Sequence, residues 1–340
     1  MRRLRIVIAA LSFLSLAAPA RATGAIDEES FVRIGGIDQW ITIKGRDRAN
    51  PVLLLLHGGP AVTFTPQADA MFKGWDKDFT LVEWDQRGAG RTFTRNGGAA
   101  IAPSMTMARM IQDGIEVARY AARHLGKKKV IVMGASWGSI LGIRMIRAQP
   151  DLFAAYVGPA QIVDMQKNTA MVYARLTTMA KAAKDSKAVA ALAAIGPPPW
   201  HRTVDWQAYQ KVEQVYQHRL APAPADFPVS PAYASAKEQA EDKAAIEFSG
   251  RHFLGETLDG PLMADLPALG LDFSVPVFVI QGEHDMTALP ELARAYVESI
   301  KAPAKKFVLL PGAGHAPSAA LWALTHKVLM EEARPLAREN

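Results

Sequence analysis

Residues Lys129 to Met133 (KVIVM) form a short β-type run that passes directly into Gly134-Ala135-Ser136-Trp137-Gly138 and then into a helical stretch, Ser139 to Ala148. No other feature restricts the fold as strongly. A serine with glycines two residues away on either side, at a strand-to-helix junction, implies a sharp turn with little room for flanking side chains. The turn lifts the hydroxyl above the end of a sheet and sets it near the N-terminus of the next helix, whose partial positive charge favours a developing anion. Ser136 is the candidate nucleophile.

The rest of the chain supplies the sheet that such a turn needs. Val52 to Leu56, Phe79 to Trp84, Ala154 to Val157, Val275 to Gln281 and Lys306 to Leu310 are short apolar runs, and helical spacing over Met107 to Leu125 and Glu291 to Ile300 separates some of them. Runs of this length bounded by glycines read as strands buried on both faces. The alternation predicts an α/β fold, a mostly parallel sheet flanked by helices. Phe31 to Ile34 and Gln39 to Ile43, around Gly35-Gly36, read as an entry hairpin, and a final helix is expected over Ala319 to Ala333, ending before Pro335. Between about Gly158 and Val275 the rhythm gives way to Ala-, Lys-, Gln- and Glu-rich helical spacing, broken at Pro197-Pro198-Pro199 and between Pro222 and Pro231. The expected organisation is a core of residues 23–160 and 270–340 with a helical cap over 161–269.

A serine hydroxyl needs a base, and the base needs an orienting carboxylate. His315 closes Pro311-Gly312-Ala313-Gly314-His315 directly after the last expected strand, where a glycine-rich loop can return the ring to Ser136. His284 is its rival. Asp285 follows the penultimate strand in Gln281-Gly282-Glu283-His284-Asp285 and is preferred as the acid, with Glu283 as the alternative. An oxyanion would be held by the backbone N–H of Trp137 and one from His57-Gly58-Gly59-Pro60, with Gly59 as donor. His57, Asp85 and Arg87 are read as buttresses.

Composition removes other chemistries. No cysteine among 340 residues excludes a thiolate nucleophile, a disulfide framework and cysteine-ligated zinc. Neither His-Glu-x-x-His nor a phosphate-binding Gly-x-x-x-x-Gly-Lys-Ser/Thr sequence is present, and no cofactor or metal is implied. Four of the 39 basic residues lie in the first 22, which hold no acid; the remaining 35 face 33 acidic residues, so charge gives no case for nucleic acid. Those 22 residues, with a cationic start, an apolar run from Ile6 to Ala18 and small residues through Ala22, read as a signal peptide cleaved after Ala20 or Ala22. An exported protein, periplasmic or secreted and without a stable membrane span after cleavage, is expected.

Taken together, HGGP, WDQRGAGRT, GASWGS, GEHD and GAGH resemble the α/β-hydrolase superfamily, and HGGP, DQRG and SWGS resemble its proline iminopeptidase (prolyl aminopeptidase) branch. The order Ser136, Asp285, His315 matches that superfamily. The resemblance implies release of N-terminal proline from small peptides through an acyl-enzyme, with these three residues as the triad. It also implies cap glutamates that hold the substrate amine. Ala245-Ile246-Glu247-Phe248 with Arg251-His252-Phe253 resembles one such segment, making Glu247 the candidate anchor, or else a solvated helix glutamate; the family's Trp-Glu cap segment finds no match, and Ala61 replaces the last glycine of HGGPG.

Two further readings stand beside this one. A carboxylesterase or lactonase acting on small hydrophobic esters needs the same triad and oxyanion donors. A non-catalytic binding module on the same scaffold would be signalled by loss of a triad residue, and none is lost. Aspartate-nucleophile relatives, the epoxide hydrolases and haloalkane dehalogenases, are disfavoured by a serine at position 136.

Overall fold

The computed structural model describes residues 24–221 and 224–338; the expected signal peptide lies outside them. Eight strands form one sheet in the order β1-β2-β4-β3-β5-β6-β7-β8. The entry hairpin, β1 (Ile26–Ile34) and β2 (Ile37–Gly45), is antiparallel and longer than its apolar residues suggest, because exposed polar positions of β1 pair with β2 throughout. β2 pairs antiparallel with β4 (Thr80–Trp84), and every later pairing is parallel: β3 (Val52–Leu56), β5 (Val130–Gly134), β6 (Phe153–Pro159), β7 (Val277–Gly282) and β8 (Lys305–Leu310).

The continuous apolar runs have a physical reason. Val52, Leu54 and Leu56 enter one hydrophobic cluster, Leu53 and Leu55 the cluster on the opposite face. Each such side chain removed from water contributes about 1.5–3 kcal/mol, so a strand covered on both sides has no place for alternation. Helices cover the two faces. Between β3 and β4 lies α1 (Ala68–Met71); after β4 come α2 (Gly90–Asn96), α3 (Gly98–Ile101) and α4 (Met107–His124), the last started by Thr106, whose hydroxyl accepts from Arg109 N–H. α5 (Trp137–Ala148) links β5 to β6, and α10 (Pro290–Ser299) links β7 to β8.

Four long helices stand between β6 and β7: α6 (Met165–Ala182), α7 (Ser186–Ile195), α8 (Thr203–Leu220) and α9 (Ala236–Leu254). Asp164, Asp185 and Ser235 cap α6, α7 and α9 with side-chain hydrogen bonds. Trp200, just before α8, meets Tyr209 of α8 and Tyr173 of α6 with ring centroids 5.1 and 5.9 Å apart, and so ties the two helices together. The segment from α8 to α9 runs back across the core. Ala225 N–H bonds Pro317 O, the Gln67 amide bonds Phe227 O, and Ser230 N–H bonds Pro66 O. At its end the Arg91 guanidinium lies over the Tyr233 ring at 3.9 Å and pairs with Glu238.

The chain ends in α11 (Ala319–Val328), a wider π turn over Leu329–Ala333, and α12 (Arg334–Arg338). The helix does not stop before Pro335. The chain stays helical through Pro335, the second residue of α12, which follows directly on the π turn. Among the described residues no helix is long and apolar enough to cross a membrane.

Candidate active site

The turn after β5 has the geometry its glycines imply. Ser136 is the N-cap of α5 and has φ 52° and ψ −118°, a left-handed-side conformation that a side-chain-bearing residue adopts only under constraint. A Cβ on Gly134 would lie 2.2 Å from Gly138 O, and one on Gly138 would lie 2.2 Å from Leu56 O. Only hydrogen fits at either position.

β7 and β8 deliver the two partners. Their register pairs Gly282 with Leu310, so the loops that leave them start side by side. A Cβ on Gly282 would be 2.5 Å from Gly314 O, which shows how closely the backbones pack. Ser136 Oγ lies 2.9 Å from His315 Nε2, and His315 Nδ1 lies 2.8 and 3.0 Å from the two oxygens of Asp285. Asp285 is 1% exposed; its carboxylate also accepts from Ala288 N–H at 2.7 Å and from the Gln281 amide at 2.7 Å. Burial acts to lower the His315 pKa, but the charge and hydrogen bond of Asp285, with the charge of Glu213, outweigh it and hold the pKa above 6.5. An imidazole so placed can take the hydroxyl proton while the carboxylate stabilises the imidazolium.

The rival residues serve elsewhere. Glu283 accepts from Gly312 N–H at 2.8 Å and so braces the loop that carries His315. His284 is turned to the surface, 4.0 Å from Glu283.

The loop after β3 folds against Ser136. Gly58 sits so near that a Cβ there would be 3.4 Å from the Ser136 Cβ. The Gly59–Pro60 peptide is cis, Gly59 has φ 108°, and Val62 N–H closes the turn on Gly58 O. Gly59 N–H and Trp137 N–H donate to no acceptor among the described residues. His57, Asp85 and Arg87 are all buried and partnered within the fold. His57 Nδ1 bonds Gly58 O, and its Nε2 accepts from Gln86 N–H; burial drives its pKa to about 4, so the ring is neutral. The Gln86 side chain bridges His57 O and the Trp137 indole. Asp85 accepts from Thr65 and from Arg91 N–H, and Arg87 pairs with Asp113 at 2.7 Å.

On the helical side, α9 crosses the β4 loop: Ser249 Oγ donates to Gly88 O at 2.7 Å, and the Phe253 and Trp137 rings lie 4.6 Å apart. Glu247 is not brought to Ser136 or His315. The inward face of α9 is Ala245, Phe248, Ser249 and Phe253, and position 247, about a quarter turn from Phe248, is exposed. A buried carboxylate whose charge reaches His315 is Glu213 on α8, which the residue patterns of the sequence did not single out. It is 6% exposed and accepts from Thr287 Oγ1 at 2.8 Å. Burial raises its pKa, opposed by the Thr287 hydroxyl and by His315. Its signal was an acidic residue inside the buried stripe Trp206, Tyr209, Val212, Glu213, Tyr216 and Gln217. Among the described residues no three His, Asp or Glu side chains converge as a metal site would.

Residues 48–318 match the family described as serine aminopeptidase, S33. The chain is 28% identical over 305 residues to the probable aminopeptidase YbaC of Bacillus subtilis (strain 168), covering 88% of this chain and 93% of that one. In structure it is similar to a proline iminopeptidase-related protein from Thermus thermophilus, with a TM-score of 0.62 at 19% identity over 92% of this chain and 99% of the other. It is similar also to the proline iminopeptidase of Mycobacterium smegmatis, with a TM-score of 0.59 at 21% identity over 92% and 97%. At these identities the structural matches speak for the fold, which is that of the α/β hydrolases. The family match covers most of the chain, and the protein belongs to the serine aminopeptidase, S33, family.

Proposed function

We propose that this protein is a serine aminopeptidase that removes N-terminal proline from small peptides. The hydrogen-bonded chain from Ser136 through His315 to Asp285, with Glu213 buried beside it, carries the reading. His315 Nε2 takes the hydroxyl proton as Ser136 Oγ attacks the carbonyl carbon of the first residue. Gly59 and Trp137 N–H groups receive the oxyanion. His315 then gives its proton to the departing amine, and a water activated by the same ring releases the acyl group from Ser136.

The substrate class rests on Glu213. A buried carboxylate is costly without a counter-charge, and Thr287 is a neutral partner. The ammonium of a peptide N-terminus, placed one residue from the scissile bond, would supply that charge. An ester substrate has no comparable group to offer.

The test is arylamine release from a free-amine prolyl arylamide, beside its N-acylated counterpart and a neutral aryl ester, with Ser136→Ala as background. The expected result is serine-dependent turnover of the free-amine compound and at least tenfold slower turnover of the acylated one. Serine-dependent hydrolysis of the ester alone would replace this reading with a carboxylesterase or lactonase. Absence of serine-dependent turnover on all three would remove the catalytic assignment.

A further inference from the structure

Asp285 is surrounded by amide side chains, and two of them come from the helices between β6 and β7. Gln281, on β7, bonds Asp285 Oδ2 and Ala288 O and accepts from Gln161 N–H. Asn168, on α6, donates to Met286 O at 3.0 Å and accepts from Leu289 N–H at 2.8 Å. Gln217, on α8, donates to His284 O at 2.8 Å and accepts from Met286 N–H at 2.8 Å. All three are buried. Gln217 therefore grips the main chain on both sides of Asp285, one bond before it and one after.

A primary amide is suited to this task, since it offers a donor and an acceptor in one plane. Both are satisfied here, and both are spent on backbone. The pair of bonds fixes the two peptide planes that flank Asp285, and those planes set where its carboxylate points. Gly314, next to His315, packs against the same side chain: a Cβ there would lie 2.5 Å from Gln217 Nε2. One turn earlier on α8, Glu213 holds the next loop residue, Thr287.

We propose that Gln217 is a positioning residue for the reaction: through the His284 and Met286 main chain it keeps the Asp285 carboxylate on His315 Nδ1. Helix α8 thereby supports the chemistry as well as covering it, and the face that presents Glu213 to a substrate cation is the face that secures the acid. The proposal rests on the reading of Ser136, His315 and Asp285 as the working triad.

Gln217→Met keeps the volume and removes both hydrogen bonds. Activity is measured on the free-amine prolyl arylamide and on the neutral aryl ester, across pH, with thermal unfolding to verify the fold. The expected outcome on each substrate that wild type turns over is a fall in kcat of about 10- to 100-fold, the scale of a small misplacement of reacting groups. KM should change less than about threefold, and the acid limb should move to lower pH as the imidazolium loses its aligned counter-charge. Glu213→Gln should lower the acid-limb midpoint on both substrates but raise KM only for the free-amine substrate, with kcat on the ester above the limb changed less than about threefold, a pattern that separates recognition of the amine from positioning of the acid.

The proton on His315 Nδ1, strongly deshielded in the NMR spectrum when bonded to Asp285, reads the same geometry without any substrate. It should move upfield or vanish by exchange in Gln217→Met. If Gln217→Met does not fold, Gln217→Ala, which leaves space for water, takes its place with the same expected signature. Unchanged kcat, acid limb and Nδ1 resonance would overturn the proposal, as would a loss of kcat without movement of the limb or the resonance. Failure of wild type to exceed Ser136→Ala would count against the triad reading, with the resonance still reporting on Gln217.

Discussion

Gly138 meets Leu56 so closely that a methyl group at 138 would sit 2.2 Å from the Leu56 carbonyl oxygen. Backbone carbonyls at a strand end cannot retreat as a side chain can. Gly138→Ala is therefore expected to destabilise the fold at or above the upper end of the usual overpacking cost of about 1–3 kcal/mol. Denaturant unfolding of the variant against wild type measures it, and a loss below about 1 kcal/mol would mean that the turn can relax.

On the proposed mechanism, the pH dependence of turnover follows from His315: the ring would have to be neutral to accept the Ser136 proton, and its partners hold the pKa above 6.5 despite burial. The acid limb of kcat/KM should accordingly have its midpoint above that value. Glu213→Gln removes one of the two charges that raise it, so the midpoint should move down. An upward shift would contradict the placement of Glu213 beside the ring.

Glu83 gives a prediction about stability. It lies buried on β4, and burial, aided by the charge of Asp85, drives its pKa to about 8. Near pH 4 and below, both folded and unfolded chains hold the proton. From there up to about pH 8 only the folded chain keeps it, so stability falls with rising pH through that window. Glu83→Gln should unfold several degrees above wild type at pH 8 and much closer to it at pH 4.5. A gap that is equal at both pH values would show that ionisation of Glu83 is not its source.

Arg87 and Asp113 form an ion pair with each side chain at most 1% exposed, and Arg109 adds a second contact to Asp113. Removing Arg87 leaves Asp113 buried with only the partly exposed Arg109 to offset its charge. Arg87→Ala should cost about 3–5 kcal/mol, visible in chemical denaturation, while Arg33→Ala, whose pair with Asp38 lies on the surface, should cost under about 1 kcal/mol.

Which parts of this molecule were legible in its sequence depended on how local the cause was. Val52–Leu56 and Val277–Gly282 were readable because burial on both faces excludes polar residues from the strand itself. Ser136, Asp285 and His315 were readable because each follows a strand and stands beside glycines that tight backbone contact demands. Glu247 was placed by a neighbouring motif, but a helical side chain is directed by its phase on the helix, and the apolar residues around it turn position 247 outward. Glu213 was hidden for the opposite reason: a lone acid on the buried face of α8 acquires meaning only when that face meets the Thr287 loop, which lies 74 residues further along the chain. Pro335 misled because a π turn, a feature without a residue signature here, resets the helix before it.

The segment between α8 and α9 makes backbone hydrogen bonds to Pro317 and Pro66 and takes a side-chain bond from Gln67, in addition to the two covalent connections through which the helical layer joins β6 and β7. A flap fastened at a third edge cannot swing like a door. Rotating the whole layer away from the sheet would first have to unpick those bonds and the seat of Arg91 on Tyr233. If Ser136 is the nucleophile proposed above, a substrate would reach it by local rearrangement of residues 224–238 in preference to rotation of the four helices as one layer.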